Sequence, residues 1–543
     1  MYAAALIAEL LKAYGKKFFV YPGGTIAPIF HECKAAGVEL LCSKAEQGAG
    51  YMAIADAALT GGPAFVAVTS GPGATNLVTC IADAFYDSLP LVVFTGQVGT
   101  VDLGRSQGLR QRGFQEVPTP QMVASITKGV WQPKTIDQLQ TALIDGVQLA
   151  LEGRQGPVVI DLPMNLQMSS IGASACHVFA NRLAESRRGG HGPLQPCPVE
   201  FPALVASALA GAKRPLVLVG AGAIDASEAV RTLAERWQLP VISSMRGIGA
   251  LPSDHSLAVG WIGHTGQPWA NRTLFEADCL LVLGSRLDVR QTGTELAVFD
   301  DKKIFRVDID AAELEYSRLS GVISAHCSVR TFLGQMAVIA PHEASRGEWL
   351  EEIQGFRNSF CLADHGELTG IAPDELLRHL DRATRDKATT VVTGVGSHQQ
   401  WAARYFTFDF PRKRLLTSAG HGTMGYALPV ALGAANVDRE TLILCVDGDG
   451  SFQLNIQELA LALELNLPIK IVLMDNSRLG IVSQFQCITF ADDPVTGDFQ
   501  NPDFCAIAKA YGLAAHRLET LIRPLSLPFA GTRPGVVARP DSA

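Results

Sequence analysis

The chain has 543 residues, room for about three or four domains at roughly 100 to 200 residues each. Hydrophobic residues make up 48% of it and charged residues 18%, with no acidic or basic block, which excludes wholesale disorder. A net charge of −8 argues against a nucleic-acid groove or a polybasic membrane surface, so the composition favours small-molecule partners. No apolar run approaches the roughly 20 residues needed to span a bilayer. The start of the chain carries Glu9 and Lys12 and lacks a cleavage-site pattern, so it reads as a first helix and not as a secretion signal. Eleven cysteines, among them Cys42, Cys80, Cys279 and Cys445, show neither a paired framework nor metal spacing and read as buried thiols of a reducing cytoplasm.

Short β-branched and aromatic runs alternate with helical patterns from end to end, the pattern of parallel sheets covered by helices on both faces. The fold class expected is α/β, as three consecutive doubly wound parallel-sheet domains. In the first, residues 1–170, strands are expected at Lys17–Tyr21, Val38–Ser43, Ala64–Ser70, Leu91–Gly96 and Val158–Pro163, with helices starting near Glu46 and Thr75. The polar stretch Arg187, Arg188, Gly189, Gly190, His191, Gly192, Pro193 suits an exposed linker. A second unit, residues 198–340, carries strands at Pro215–Gly220, Pro240–Ser244, Cys279–Gly284 and Lys303–Asp310, followed by a charged connector from His342 to about Gly370. The third, residues 371–543, opens with an amphipathic helix at Pro373–Asp381. Its expected strands are Thr390–Gly396, Arg414–Gly420, Thr441–Asp447 and Ile469–Asp475.

One segment carries most of the functional information. Leu442–Val446 is a buried-strand run that ends in Asp447, Gly448, Asp449, Gly450, Ser451. Glycines on both sides of Asp449 let backbone approach a ligand, and the following helix can aim free N–H groups at an anion. Ile456, Leu459, Ala460 and Leu463 fall at i, i+3, i+4 and i+7, which predicts a continuous helix packed on the sheet. A further strand ends at Asp475 and Asn476. Asp449 and Asn476 therefore emerge at the C-terminal edge of neighbouring strands, where open α/β sheets place ligands. A carboxylate with an amide oxygen suits Mg²⁺, which takes few protein ligands plus phosphate oxygens. Taken alone, Gly-Asp-Gly is no more than a strand-to-helix turn.

Gly-Asp-Gly, then the 25 residues Ser451–Asp475, then Asn476 resembles the diphosphate and metal motif of thiamine diphosphate-dependent enzymes. The wider context resembles the acetolactate synthase (acetohydroxyacid synthase) catalytic subunits. Tyr21-Pro-Gly-Gly24, Glu46-Gln-Gly-Ala-Gly50, Thr69-Ser-Gly-Pro-Gly-Ala-Thr-Asn76, Thr95-Gly-Gln-Val98, Phe114-Gln-Glu116, Ile126-Thr-Lys128, Gly396-Ser-His-Gln-Gln-Trp401 and Met424-Gly-Tyr-Ala-Leu-Pro429 occur in that family's order and spacing, over about residues 1 to 515. The resemblance names the three domains pyrimidine-binding, central and diphosphate-binding. It implies thiamine diphosphate and Mg²⁺ as cofactors, and decarboxylation of pyruvate with transfer of the two-carbon unit to a second 2-keto acid, as in branched-chain amino-acid biosynthesis.

By the same resemblance Glu46 hydrogen-bonds the cofactor's pyrimidine ring, favouring the tautomer whose exocyclic nitrogen takes the thiazolium C2 proton. Gly24, Gln97 and Lys128 are the other catalytic positions it implies, and Pro22 and Asn76 lie on the cofactor. Met424 matches the bulky residue that props the cofactor in a bent shape. Asp449, Asn476 and the backbone oxygen of Arg478 hold the metal. Gly396, Ser397, His398, Gly448, Gly450 and Ser451 complete the phosphate cradle. Phe114, Val482 and Phe485 match the substrate pocket, and Lys128 or Arg290 meets the acceptor carboxylate. In the central domain, Arg286, Arg290 and Asp308 resemble FAD-binding positions. The alternative there is an α/β spacer that has lost its flavin.

Three departures stand out. Phe485 replaces the tryptophan usual in the branched-chain biosynthetic enzymes, changing the pocket's shape and removing an N–H donor. Ala45 stands where a histidine usually precedes the catalytic glutamate. After Leu518 the chain runs through Pro524, Pro528, Pro534 and Pro540, where the family continues with a helix and a hydrophobic strand, so this end is expected to fold poorly. Two other readings therefore stay open: a different thiamine diphosphate-dependent 2-keto acid decarboxylase or acyl-transferring lyase, and an inactive paralogue. The family places its cofactor between domains of two subunits, which implies a homodimer or homotetramer. A regulatory small subunit is a further expected partner.

Overall fold

The computed structural model describes residues 1–104, 109–188, 195–341, 345–360, 370–490, 495–518 and 535–537. They form three six-stranded sheets in which every strand pairing is parallel. The first comprises β1 (Phe18–Val20), β2 (Leu40–Cys42), β3 (Ala64–Val68), β4 (Leu91–Gln97), β5 (Gly129–Trp131) and β6 (Val158–Pro163), in the order β2-β1-β3-β4-β6-β5. The second comprises β7 (Pro215–Val219), β8 (Val241–Ser243), β9 (Ala258–Trp261), β10 (Cys279–Leu283), β11 (Lys303–Asp308) and β12 (Ile323–His326), in the order β12-β11-β10-β7-β8-β9. The third comprises β13 (Thr389–Thr393), β14 (Lys413–Thr417), β15 (Leu442–Gly448), β16 (Ile469–Met474), β17 (Ala514–His516) and β18 (Gly535–Val537), in the order β14-β13-β15-β16-β18-β17. The first and third sheets thus share one topology.

Strands β3, β4, β6 and β10 are buried along their whole length, as their unbroken apolar runs require of a sheet covered on both faces. Each sheet has a switch point at which its strand order changes direction: between β1 and β3, between β7 and β10, and between β13 and β15. Loops leaving the C-terminal ends of those pairs diverge and open a crevice, the place where such sheets take ligands. The Tyr21–Gly24 and Thr69–Asn76 segments flank the first crevice, Gly220–Gly222 and Gly284–Asp288 the second, and Gly394–His398 and Gly448–Ser451 the third.

The outer domains share a core. The Glu46–Thr60 helix lies against the Ala427–Val437 helix, both rich in alanine, and Met52, Ala55, Val430, Ala431 and Ala434 belong to one buried cluster. A Cβ on Gly433 would fall 2.6 Å from Met52 Cα and O, so backbone meets backbone there. Polar contacts join the same domains nearby. Ser418 Oγ donates to Asp83 Oδ1, while Gly420 N and Ala419 N donate to the two Asp87 oxygens at 2.9 and 3.2 Å. Burial pushes the Asp83 carboxyl up to about 6. The central domain is tied in by Arg246, which donates to the Asp87 carbonyl, and by Arg154 on Asp310 at 3.1 Å.

Several sequence expectations are corrected. Strands β5, β9, β12, β17 and β18 are absent from the sequence reading; all are three or four residues long and carry few β-branched residues. Strand β18 also amends the expectation of a poorly folded end, since its Gly-Val-Val run pairs with both β16 and β17. Arg187 and Arg188 are not linker but the last turn of the Ala173–Arg188 helix, whose Phe179 and Leu183 enter the first domain's core. Residues 189–193 lie outside the described residues. The connector contains a helix, Gly347–Ser359, with Trp349 and Ile353 packed on the central sheet. The helix expected after Asp449 is broken: a 3-10 turn covers Gln453–Glu458, Asn455 is non-helical, and Leu463 is exposed. Cys42 and Cys487 are exposed, not buried. Among the described residues no helix is long and apolar enough to cross a membrane.

The Gly433 contact is testable. Gly433→Val should destabilise the protein by about 1–3 kcal/mol, the usual effect of overpacking, whereas Gly355→Ala, at a helical glycine with nothing within 4 Å, should be neutral or slightly stabilising. Urea titration of both variants measures the difference; equal midpoints would contradict the close helix approach.

Candidate active site

The third crevice is built around Asp449, which is 2% exposed at the end of β15. Its Oδ2 accepts hydrogen bonds from Asn476 N (2.9 Å), Ser477 N (2.5 Å) and Asn501 Nδ2 (2.6 Å), and its Oδ1 accepts one from Gly450 N (2.8 Å). Ser477 takes a positive φ of 54°, which turns the chain after β16 back toward Asp449. Burial pushes the Asp449 carboxyl up, and the hydrogen bonds from Asn501, Gly450, Ser477 and Asn476 draw it down. The Asn476 side-chain oxygen accepts from Arg478 N at 3.2 Å, and the Arg478 guanidinium turns outward to Asp498 at 2.6 Å.

Across the crevice, the loop after β13 brings Gly396, Ser397 and His398 up to Gly448. A Cβ on Gly396 would lie 2.6 Å from His398 Cε1, and one on Gly448 would lie 2.8 Å from His398 Nδ1. Only glycine leaves room at either position. His398 Nε2 is 3.3 Å from Asp447 Oδ1 but misaligned for a hydrogen bond, and His398 Nε2, Asp447 Oδ2 and Ser483 Oγ all lack partners although buried. Buried polar atoms left unpaired are costly, so the His398 and Asp447 atoms beside a glycine-lined crevice mark a place made for a polar ligand.

Met424 sits between Gly422 and Gly425, whose φ values of +77° and +80° bend the backbone on both sides of it. Gly425 N donates to Ser451 Oγ at 2.9 Å, and Asn455 Nδ2 donates to Gly425 O at 2.7 Å. The Met424 turn is thereby moored to the Asp449 segment.

In the first domain, Glu46 opens its helix and accepts a hydrogen bond on Oε2 from Asn76 Nδ2 at 3.1 Å. Pro22 and Gly24 are exposed in the turn after β1, where Thr25 Oγ1 meets Thr69 Oγ1 at 2.8 Å. Gln97 does not join this group. It is fully buried, donating to Val117 O and Asp161 Oδ2, both at 3.0 Å. Nor does Lys128, whose Nζ donates to the Glu152 carbonyl and whose pKa is pushed down to about 8 mainly by burial. Phe114 is 85% exposed and Phe485 59% exposed, and Val482 is also exposed, so the described residues close no pocket around them.

At the central crevice the turns after β7 and β10 interlock, since a Cβ on Gly220 would lie 2.1 Å from Gly284 O. Arg286 pairs with Asp288 at 2.6 Å and Arg290 is exposed. Asp308 Oδ1 accepts from Asp310 N at 3.0 Å. Sequence reasoning missed Asn501, Asn455 and Glu458. Asn501 sits just before the cap Asp503, which accepts from Ala506 N, and an Asn-Pro-Asp run ahead of a helix was the signal available for it.

Three family models for thiamine pyrophosphate enzymes match the chain in order: the N-terminal TPP binding domain over residues 1–122, the central domain over 203–336, and the C-terminal TPP binding domain over 394–525. The chain is 35% identical to the acetolactate synthase isozyme 1 large subunit of Escherichia coli (strain K12), across 98% of this chain and 92% of that protein. It is 33% identical to the acetolactate synthase large subunit of Lactococcus lactis, across 95% and 88%, and 32% identical to the chloroplastic acetolactate synthase of Arabidopsis thaliana, across 95% and 77%. With the same three domains around the same kind of crevices, the chain belongs to the acetolactate synthase family of thiamine pyrophosphate-dependent carboligases.

Proposed function

We propose that this chain joins two molecules of pyruvate, releasing the carboxylate of one and adding its two-carbon unit to the carbonyl of the other. The observation that carries this reading is the buried Asp449 carboxylate, oriented by four hydrogen bonds at the end of β15, beside the His398–Asp447 pair whose Nε2 and Oδ2 lack hydrogen-bond partners. Thiamine diphosphate, when bound, supplies the electron sink that lets a 2-keto acid lose its carboxylate. The chain's own work is to bind, orient and exchange protons. Glu46, steered by Asn76, presents a carboxyl oxygen able to hold a proton against a ring nitrogen. Met424, fixed by its two glycines, offers a bulky apolar support. His398 and the backbone around Gly448 and Ser451 would hold the diphosphate.

The Asp449 carboxylate, the Asn476 amide oxygen and the Arg478 carbonyl form a hard-oxygen set suited to Mg²⁺, whose charge would relieve the buried carboxylate. The central crevice fits FAD through exposed Arg290, with Arg286 already held by Asp288. Large exposure of Phe114 and Phe485 supports a second copy of the chain as the missing wall of the substrate pocket. The relatives named as large subunits support pairing with a small regulatory subunit. A cytoplasmic location is in keeping with the unpaired cysteines.

Purified protein given pyruvate, thiamine diphosphate, Mg²⁺ and FAD should form acetolactate, and Glu46→Gln should lower the rate by about 10²- to 10⁴-fold. Pyruvate consumption without acetolactate would favour a simple decarboxylase. Asp449→Ala should weaken metal-dependent cofactor binding at least about 100-fold by calorimetry; unchanged affinity would remove the metal assignment. Phe485→Trp should raise the share of 2-ketobutyrate over pyruvate as acceptor in a competition assay, since it restores a larger ring with a donor.

A further inference from the structure

Glu458 takes no part in the chemistry described above, yet it is the point at which the diphosphate-binding domain touches the backbone that carries Glu46. It ends the 3-10 turn that follows the Asp449 segment and is 0% exposed. Its Oε1 and Oε2 lie 3.1 and 3.2 Å from Lys44 N, which donates to both. A Cβ on Gly48 would fall 2.2 Å from Oε1, so the carboxylate occupies the space that Gly48 leaves free. The Lys44 ammonium turns away to Glu464, 2.5 Å distant, so the backbone N–H and not a direct ion pair holds Glu458. Burial pushes its carboxyl up to about 7 against that N–H group. The helix that starts at Glu46 is preceded by Ala45, whose methyl group cannot accept a hydrogen bond, and no side chain of its own segment caps it.

A buried carboxylate that holds the Lys44 N–H, two residues ahead of Glu46, with both oxygens and fills the space beside Gly48 sets where that side chain leaves the helix. We propose that Glu458 is a positioning residue for Glu46, locking the start of the Glu46–Thr60 helix to the diphosphate-binding domain so that the Glu46 carboxyl points at Asn76 and the cofactor ring. This rests on the reading of Glu46 as the carboxyl that contacts the pyrimidine ring. A purely structural role would lower stability and cofactor binding together. Positioning instead predicts loss at the proton-transfer step with cofactor affinity retained, because a displacement of about 1 Å away from the chemistry can slow a reaction about 100-fold.

The test compares wild type, Glu458→Ala, Glu458→Gln and Glu46→Gln in three measurements. These are cofactor affinity, the rate of C2 proton exchange in bound thiamine diphosphate by quenched NMR, and amide hydrogen exchange of the cofactor-free protein. Glu458→Ala should slow C2 exchange about 100-fold at unchanged cofactor affinity, and Glu458→Gln, which keeps one acceptor oxygen, should fall between it and wild type. Amides 44–50 should exchange faster in both Glu458 variants while those of residues 52–60 stay protected. If Glu458→Ala does not fold, Glu458→Gln carries the same comparison. Wild-type C2 exchange in the Glu458 variants alongside slow exchange in Glu46→Gln would overturn the positioning role alone, as would a parallel loss of affinity and exchange. Wild-type exchange in Glu46→Gln would overturn the underlying reading of Glu46.

Discussion

The close contact between the Glu46–Thr60 and Ala427–Val437 helices is the constraint on which the rest of the site depends. Interiors pack at crystal-like density, so two helices meet backbone to backbone only where side chains are absent or small. Gly433 and the facing alanines supply that. The consequence is one continuous core across two domains that are almost four hundred residues apart in the chain. Once that core exists, polar groups beside the two helices come within reach of each other across the domain boundary. Glu458 meets Lys44 N, and Ser418 meets Asp83. The Met424 turn, which follows Ser418 and precedes the second helix, is held from both domains at once.

A second regularity is topological. All three sheets have a switch point within their strand order, and the glycine-rich segments gather there. In the third sheet this leaves a buried carboxylate and several unpaired polar atoms facing one another, an arrangement that a folded protein tolerates when a ligand completes it. In the central sheet the equivalent glycines are used differently. Gly220 and Gly284 pack against each other, so the turn is filled by backbone and polar recognition falls to the arginines beside it. The same topology thus leaves buried polar atoms at the switch point of the third sheet and backbone packed on backbone at that of the central one.

The buried strands are legible because a short, unbroken apolar run rich in β-branched residues and bounded by glycine suits a strand covered on both faces and little else. The five strands that escape such a reading are short, and β5, β9, β12 and β17 are edge strands paired on one side only. Site residues follow the same division. Asp449 and Asn476 announce themselves because each ends a strand, and a parallel sheet brings adjacent strand ends together. Gln97 and Lys128 carry the right chemistry for an active site, but the sequence does not tell which carbonyl or carboxylate each will find first. Gln97 finds Asp161, and Lys128 finds the end of the following helix at Glu152. Glu458 and Asn455 fit the pattern of ordinary members of an amphipathic helix. Their role emerges only once Asn455 breaks that helix to reach Gly425 and Glu458 swings under Lys44.

The departure at position 485 has to be weighed against where its helix lies. Val482, Phe485 and Ile488 recur every three residues along one side of the Gly480–Phe490 helix, and all three are exposed, as is Phe114 in the first domain. A row of that kind in water is unfavourable at about 25 cal/mol for each Å² of apolar surface, so it is most stable when covered. If a second copy covers it, Phe485 becomes one wall of a pocket whose opposite wall is supplied by another chain. Acceptor choice would then depend on the gap between the two walls. A benzene ring in place of an indole widens that gap and removes the N–H at the same time. Size and polarity therefore change together at this position, as they do where Ala45 stands in place of a histidine.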